Sequence, residues 1–102
     1  MSLELIVRPE AENDLSQARR WYEQQLRGLG RDFLDEVAAT FERIESNPEA
    51  YAKIRGRLRR ALVRRFPFGV FYLLEREQII ILAVLRASRD PRLWKSRVRT
   101  GR

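Results

Sequence analysis

The sequence predicts an α+β domain in the order β-α-α-β-β-β, with a helical hairpin packed on one face of a small, mainly antiparallel sheet. Three observations predict it. Apolar residues recur every three or four positions through two consecutive segments of the first half. After Tyr51 the recurrence changes to every second position. Gly28-Leu29-Gly30 and Asn47-Pro48 punctuate the helical segments where short connections are needed.

Leu3 to Arg8 reads as a short strand closed by Pro9. Pro9 suits the first turn of a helix, where its missing N–H costs nothing. Ala11, Leu15, Ala18, Trp21, Tyr22 and Leu26 then mark one helix face, with Asp14, Arg19, Arg20 and Glu23 at polar positions. Gly28-Leu29-Gly30 is read as the end of that helix, since glycine accepts the left-handed conformation of a C-terminal cap. A second helix is predicted from about Arg31 to Ser46, with Phe33, Leu34, Val37, Ala38, Phe41 and Ile44 as its apolar stripe. Two amphipathic helices joined so closely form an antiparallel hairpin.

Leu58 to Phe66 reads as a strand, with Leu58, Arg60, Leu62, Arg64 and Phe66 on one face and Arg59, Ala61, Val63 and Arg65 on the other. Pro67-Phe68-Gly69 turns the chain into a strand from Val70 to Glu75. Arg76-Glu77 makes a tight turn into a strand from Gln78 to about Arg86. The apolar run Ile79 to Leu85 predicts a central strand covered on both faces. Asp90-Pro91 interrupts the chain, and Leu93, Trp94 and Arg97 fit a last helical turn. The sheet face away from the helices is expected to carry part of the arginine load.

The 102 residues support one domain, 1–102, with one core. The sequence contains neither Cys nor His. Disulfides, thiolate nucleophiles, imidazole metal sites and histidine acid–base chemistry are therefore excluded, and no metal or cofactor is expected. The longest apolar run is seven residues, far short of the roughly 20 a spanning helix needs. Glu4 stands where a signal peptide would need a basic start, so a cytoplasmic protein is expected.

The net charge of +7 is segregated. Residues 1–52 carry a net −5 and residues 53–102 a net +12. Arg outnumbers Lys 19 to 2, so a GC-rich genome accounts for some of the excess but not for its location. Lys53, Arg55, Arg57, Arg59, Arg60, Arg64 and Arg65 fall within one short stretch. Their mutual repulsion calls for an anionic partner, either nucleic acid or an acidic protein segment. The plainer reading pairs them with acids of the hairpin, among them Glu42, Glu45 and Glu49. Trp21 is expected in the core, with Tyr22 packed beside it or lining an interface groove. Phe66-Pro67-Phe68 reads as turn and core, and Tyr51 as a residue packing the linker. Asp90 pairs locally with Arg89 or Arg92, and Trp94 either covers the sheet edge or offers a stacking platform.

The ordered set Trp21-Tyr22-Glu23, Gly28-Leu29-Gly30, Phe33-Leu34, Asn47-Pro48, Arg59-Arg60-Ala61, Phe66 to Tyr72, Arg89-Asp90-Pro91 and Trp94 resembles the ParE/RelE toxin superfamily of bacterial type II toxin–antitoxin systems. The resemblance spans nearly the whole chain, and it is closer to ParE than to RelE. It implies a toxin neutralised, in a hetero-oligomer, by a cognate antitoxin with an acidic, partly disordered C-terminal segment. ParE-like members are associated with inhibition of DNA gyrase and have no established catalytic residues. RelE-like members cut messenger RNA on the ribosome with basic residues and often a C-terminal tyrosine. The alternative functions are therefore a RelE-like endoribonuclease or a non-toxic basic nucleic-acid-binding module.

The resemblance implies a binding surface for antitoxin or target drawn from Trp21, Tyr22, Arg59, Arg60, Arg64, Arg86, Arg89 and Trp94. If the chain were RelE-like, Arg60, Arg64 and Arg86 would be the catalytic cations. A general base is then missing. The last tyrosine is Tyr72, within a strand, and the family's frequent histidine after the last strand is replaced by Arg86. Arginine, with a pKa above about 12, is a poor base. The expectation is a ParE-like toxin that acts by binding.

Overall fold

A computed structural model describes residues 3–88. The chain runs β1 (Glu4–Val7), α1 (Pro9–Gln25), α2 (Leu29–Ser46), β2 (Lys53–Arg55), β3 (Leu58–Leu62), β4 (Phe68–Glu75) and β5 (Gln78–Arg86). The strands form one sheet in the order β1-β5-β4-β3-β2. β1 is parallel to β5 and every other pair is antiparallel. The α+β class and the helical hairpin agree with the sequence reading. One strand, β2, was not expected. Its three residues, two of them exposed cations, pair with the start of β3 and form the sheet edge. A short, charged strand is the usual means of blunting an edge against further pairing.

β5 lies inside the sheet between β1 and β4, although the middle place belongs to β4. Ile79 to Leu85 are buried throughout, as a strand covered on both faces requires. Ile79, Ile81 and Val84 belong to the core shared with Phe33, Val37 and Ile44 of α2. Ile80, Leu82, Ala83 and Leu85 join Phe71 and Leu73 in a second buried cluster. The side away from the helices is thus mainly apolar, with Arg60 among its few cations, and the expected arginine load is small.

β3 ends at Leu62 rather than Phe66. Arg65 takes a left-handed backbone, φ 70°, which interrupts the pleat. The chain recloses when the Val63 N–H donates to the Phe68 carbonyl at 2.9 Å. Arg76, at φ 54°, makes the predicted turn between β4 and β5.

The hairpin connection differs in detail from the reading. α1 stops at Gln25, and α2 begins at Leu29 with Gly28 as its N-cap, at φ 90°. The left-handed glycine therefore starts the second helix instead of ending the first. Glu23 receives the backbone N–H of Gly28 at 3.0 Å and of Gly30 at 3.0 Å. Its carboxylate does from the neighbouring helix what an N-cap side chain does from within. Those two N–H donors hold its pKa below the usual glutamate value.

Gly30 lies directly against the α1 backbone. A Cβ there would lie 2.7 Å from the Arg19 carbonyl oxygen. Helix propensity alone would have Gly30→Ala stabilise by about 1 kcal/mol. The collision with backbone reverses that sign. The variant is expected to lose about 1–3 kcal/mol in a urea unfolding titration, and a gain would show that the hairpin can open at no cost. Glu23→Gln is expected to lower Tm at pH 7. Because the folded pKa of Glu23 is depressed, its stabilisation is present above 4.5, the ordinary glutamate value, and fades as pH falls through the folded pKa. The Tm gap between variant and wild type should therefore close in acid; a gap independent of pH contradicts the capping role.

Candidate functional site

β1 has four residues and β5 has nine. The parallel pairing runs only from Glu4–Gln78 to Val7–Ile81. The Arg8 N–H makes the last strand bond, to the Ile81 carbonyl at 3.0 Å, and Pro9 has no N–H to continue it. The far end of β5 is left with a bare edge, and α1 lies along it. The Asp14 carboxylate accepts the Val84 N–H at 3.0 Å. Asp14 is 8% exposed and lies on the buried stripe of Ala11, Ala18 and Tyr22, not among the polar positions.

The register of β4 with β5 slips by one residue between Phe71 and Tyr72, opposite Leu82. This bulge turns the Val84 N–H toward α1. By the two-residue alternation of a strand, the Arg86 N–H faces the same edge. The end of β5 is fixed from its other side, where the Ala87 N–H donates to the Pro67 carbonyl at 3.1 Å.

Between α1 and this end of β5 lies an open cleft of about 350 Å³. Its walls include Trp21, Tyr22 and Phe68, with Asp14 and Arg86 at its polar margin. Trp21 is 48% exposed and is not a core residue, contrary to the sequence reading. The helix turns so that adjacent Tyr22 takes the interior place at 7% exposure. Its ring stacks edge-on to Phe66 at 4.9 Å and lies 5.3 Å from Phe33. Phe33 and Phe68 add a further edge contact at 5.0 Å. These rings join α1, α2 and β4 beneath the cleft. Phe66 and Phe68 meet the turn-and-core expectation.

The Arg86 guanidinium stands 5.8 Å from the Trp21 ring and 5.5 Å from the Phe68 ring. Two aromatic faces hold it over the cleft. Burial raises the pKa of Tyr22, and the Arg86 charge partly opposes the rise. The Tyr22 hydroxyl has no hydrogen-bond partner among the described residues.

The other predicted arginines are spread apart. Arg59 donates to the carbonyls of Tyr51 at 2.6 Å and Glu49 at 3.2 Å, anchoring the linker after α2. Tyr72 completes the anchor by donating to the Pro48 carbonyl at 2.6 Å, and burial lifts its pKa to about 12. Tyr51 packs on the core as expected. Arg60 lays its stem over Gly69, where a Cβ would meet its Cγ at 3.0 Å, and donates to the Ala87 carbonyl at 3.3 Å.

Arg60 pairs with Phe71, of the second apolar cluster, while Arg86 pairs with Phe68, of the helix-side core. The two cations thus lie on opposite faces of the sheet. Arg64 is an exposed residue of the β3–β4 loop. Arg65 reaches Asp32 at 3.8 Å and Glu36 at 3.7 Å, and Arg57 reaches Glu75 at 2.8 Å. Hairpin acids therefore do face this stretch, through Asp32 and Glu36, while among the described residues no ion pair joins it to Glu42, Glu45 or Glu49. Arg89, Asp90 and Trp94 lie outside the described residues.

Of the predicted binding residues, the fold brings together Trp21, Tyr22 and Arg86 and separates Arg59, Arg60 and Arg64. Asp14 and Phe68 were missed as site residues. Asp14 carried a signal, an acid three residues after Ala11 and four before Ala18 on a small-residue stripe. No group of acids among the described residues is arranged to hold a metal ion. No described helix is long and apolar enough to cross a membrane.

Comparison with solved structures finds the same fold in a chain of the chromosomal ParDE toxin–antitoxin system of P. aeruginosa, with a TM-score of 0.74 and 16% identity over 82% of this chain and 95% of that one. A copper-bound mutant toxin from Helicobacter pylori is similar with a TM-score of 0.53 and 19% identity, over 84% of this chain and 96% of that one. No curated protein sequence matches. The family model for the ParE toxin of type II toxin–antitoxin systems matches residues 5–91. The chain belongs to the ParE toxin family.

Proposed function

We propose that the protein is a toxin that acts in the cytoplasm by binding rather than by cutting, with DNA gyrase as its target. Its cognate antitoxin, through an acidic and partly disordered segment, neutralises it in a hetero-oligomeric complex. Family membership supports the toxin role and the antitoxin partner. The gyrase target follows from the resemblance to ParE.

The observation that carries the binding reading is the dispersal of the cations. Ribonuclease chemistry needs a base for the 2′-hydroxyl, an acid for the leaving oxygen and cations converging on one phosphate. Arg60 and Arg86 occupy opposite faces of the sheet, and Arg64 lies in the β3–β4 loop. Arg59 donates to two backbone carbonyls and Arg60 to one, which ties each to a different part of the fold. The buried tyrosine nearest the cluster, Tyr72, donates to a carbonyl and has a pKa lifted to about 12, so it stays protonated at neutral pH and is not available as a base.

The test is a supercoiling assay with purified gyrase and the folded toxin. Supercoiling is expected to stop as toxin approaches stoichiometry with gyrase, while transcript 5′ ends after toxin induction stay unchanged. Undiminished supercoiling at excess toxin, or new codon-dependent 5′ ends, overturns the reading.

A further inference from the structure

We propose that the α1–β5 cleft is a carboxylate subsite, which takes an aspartate or glutamate side chain from an acidic peptide segment of a protein partner. The proposal deepens the binding function above and rests on it for the existence of such a partner.

Two independent observations point to a ligand. The first is a held cation. Arg86 is exposed at the mouth of the cleft, yet Trp21 and Phe68 fix its guanidinium between two rings. The side-chain entropy that a free arginine would lose on binding is partly spent already in the fold. Its planar fork of donors suits the two oxygens of a carboxylate. The second is an unused donor. Tyr22 is 7% exposed, lines the cleft, and has no partner for its hydroxyl among the described residues. A buried polar group left unpaired is costly, so an acceptor placed here gains more than one placed on open surface. Tyr22 and Arg86 line the same cleft, so one anion seated there can meet both groups.

The same surroundings choose the kind of anion. Asp14 stands at the cleft and repels a second nearby negative charge. A polyanionic backbone brings a phosphate at every nucleotide, whereas a peptide can place one carboxylate between apolar neighbours. The cleft sets apolar groups of Ala18, Trp21 and Phe68 beside polar ones of Asp14, Gln17 and Arg86, a mixture that suits a peptide side chain. The chain's net charge of +7 attracts an acidic segment from a distance.

The test is an NMR titration of the full chain with the capped peptide acetyl-Ala-Ala-Glu-Ala-Ala-amide, its Gln counterpart, and a single-stranded uridine oligonucleotide. The glutamate peptide is expected to shift the Trp21 indole and Arg86 Nε signals saturably. The Gln peptide is expected to leave them unmoved. Tyr22→Phe keeps the ring packing and is expected to weaken the peptide about tenfold, the worth of a hydrogen bond to a charged group. Its Tm is expected to hold or rise, since the hydroxyl it removes has no partner among the described residues. A Tm loss without a change in affinity makes Tyr22 merely structural and overturns the proposal. Shifts from the oligonucleotide but not the peptide assign the cleft to nucleic acid and overturn it as well. The titration contains no gyrase, so the subsite can fail while gyrase inhibition stands, and the reverse.

Discussion

The hydrogen bond from the Val84 N–H to the Asp14 carboxylate, 3.0 Å long and buried, organises this fold. It exists because Pro9 ends β1 early. A nine-residue strand in the sheet interior cannot leave its far edge dry and unpaired. Here an acid on a helix stands in for the missing strand. The bond fixes how far α1 slides along β5 and how it is rotated. With Asp14 facing the strand, Ala18 and Tyr22 follow on the same side at helical spacing, and Trp21 is turned outward. The cleft, its aromatic walls and the position of Arg86 above them all descend from that setting.

The hairpin and the aromatic cluster then hold the setting. Glu23 caps the start of α2, and Gly30 lets α2 touch the α1 backbone. Tyr22, Phe33, Phe66 and Phe68 interlock across three elements. The cationic stretch is managed by different means at each residue. Arg59 and Arg60 bond to carbonyls, Arg57 and Arg65 meet carboxylates, and the left-handed turn at Arg65 carries it toward α2. The ion pairs are exposed, worth at most about 1 kcal/mol each. They relieve repulsion more than they build stability. Arg86 is held by two aromatic rings, Trp21 and Phe68.

Much of this was legible in the residues. The hairpin, the interior strand Ile79 to Leu85 and the Arg76 turn followed from periodicity and turn chemistry. β2 was not legible, because Lys53-Ile54-Arg55 is too short to show alternation and its neighbours are equally charged. The end of β3 was misplaced because period two continues through Arg64 and Arg65, and only the left-handed backbone stops it. The first helix face was legible at Ala11, Leu15, Ala18 and Tyr22 but not at Asp14, Trp21 and Leu26. Trp21 is large and apolar, so it claimed the core, while Asp14 is charged and was assigned to solvent. The buried bond to Val84 reverses both, and a tertiary bond across 70 residues leaves only a faint local trace, the acid set between Ala11 and Ala18. The glycines were recognised, but which helix Gly28 serves depends on the Glu23 carboxylate reaching across the connection. In the site, Tyr22 and Arg86 were identified from type and resemblance. That Arg60 faces away from them required the sheet register.

The most direct measurement of this dependence is amide hydrogen exchange at Val84 and Arg86 in wild type and in Asp14→Ala. If the Asp14 bond sets α1 on β5, removing it accelerates Val84 exchange far beyond that of Ile79 and Ile81. It also loosens the Trp21 and Arg86 signals together, in a protein that stays folded. If Val84 remains as protected as its neighbours and the Trp21–Arg86 contact is unchanged, α1 is held by something else and the account of how this cleft is built is wrong.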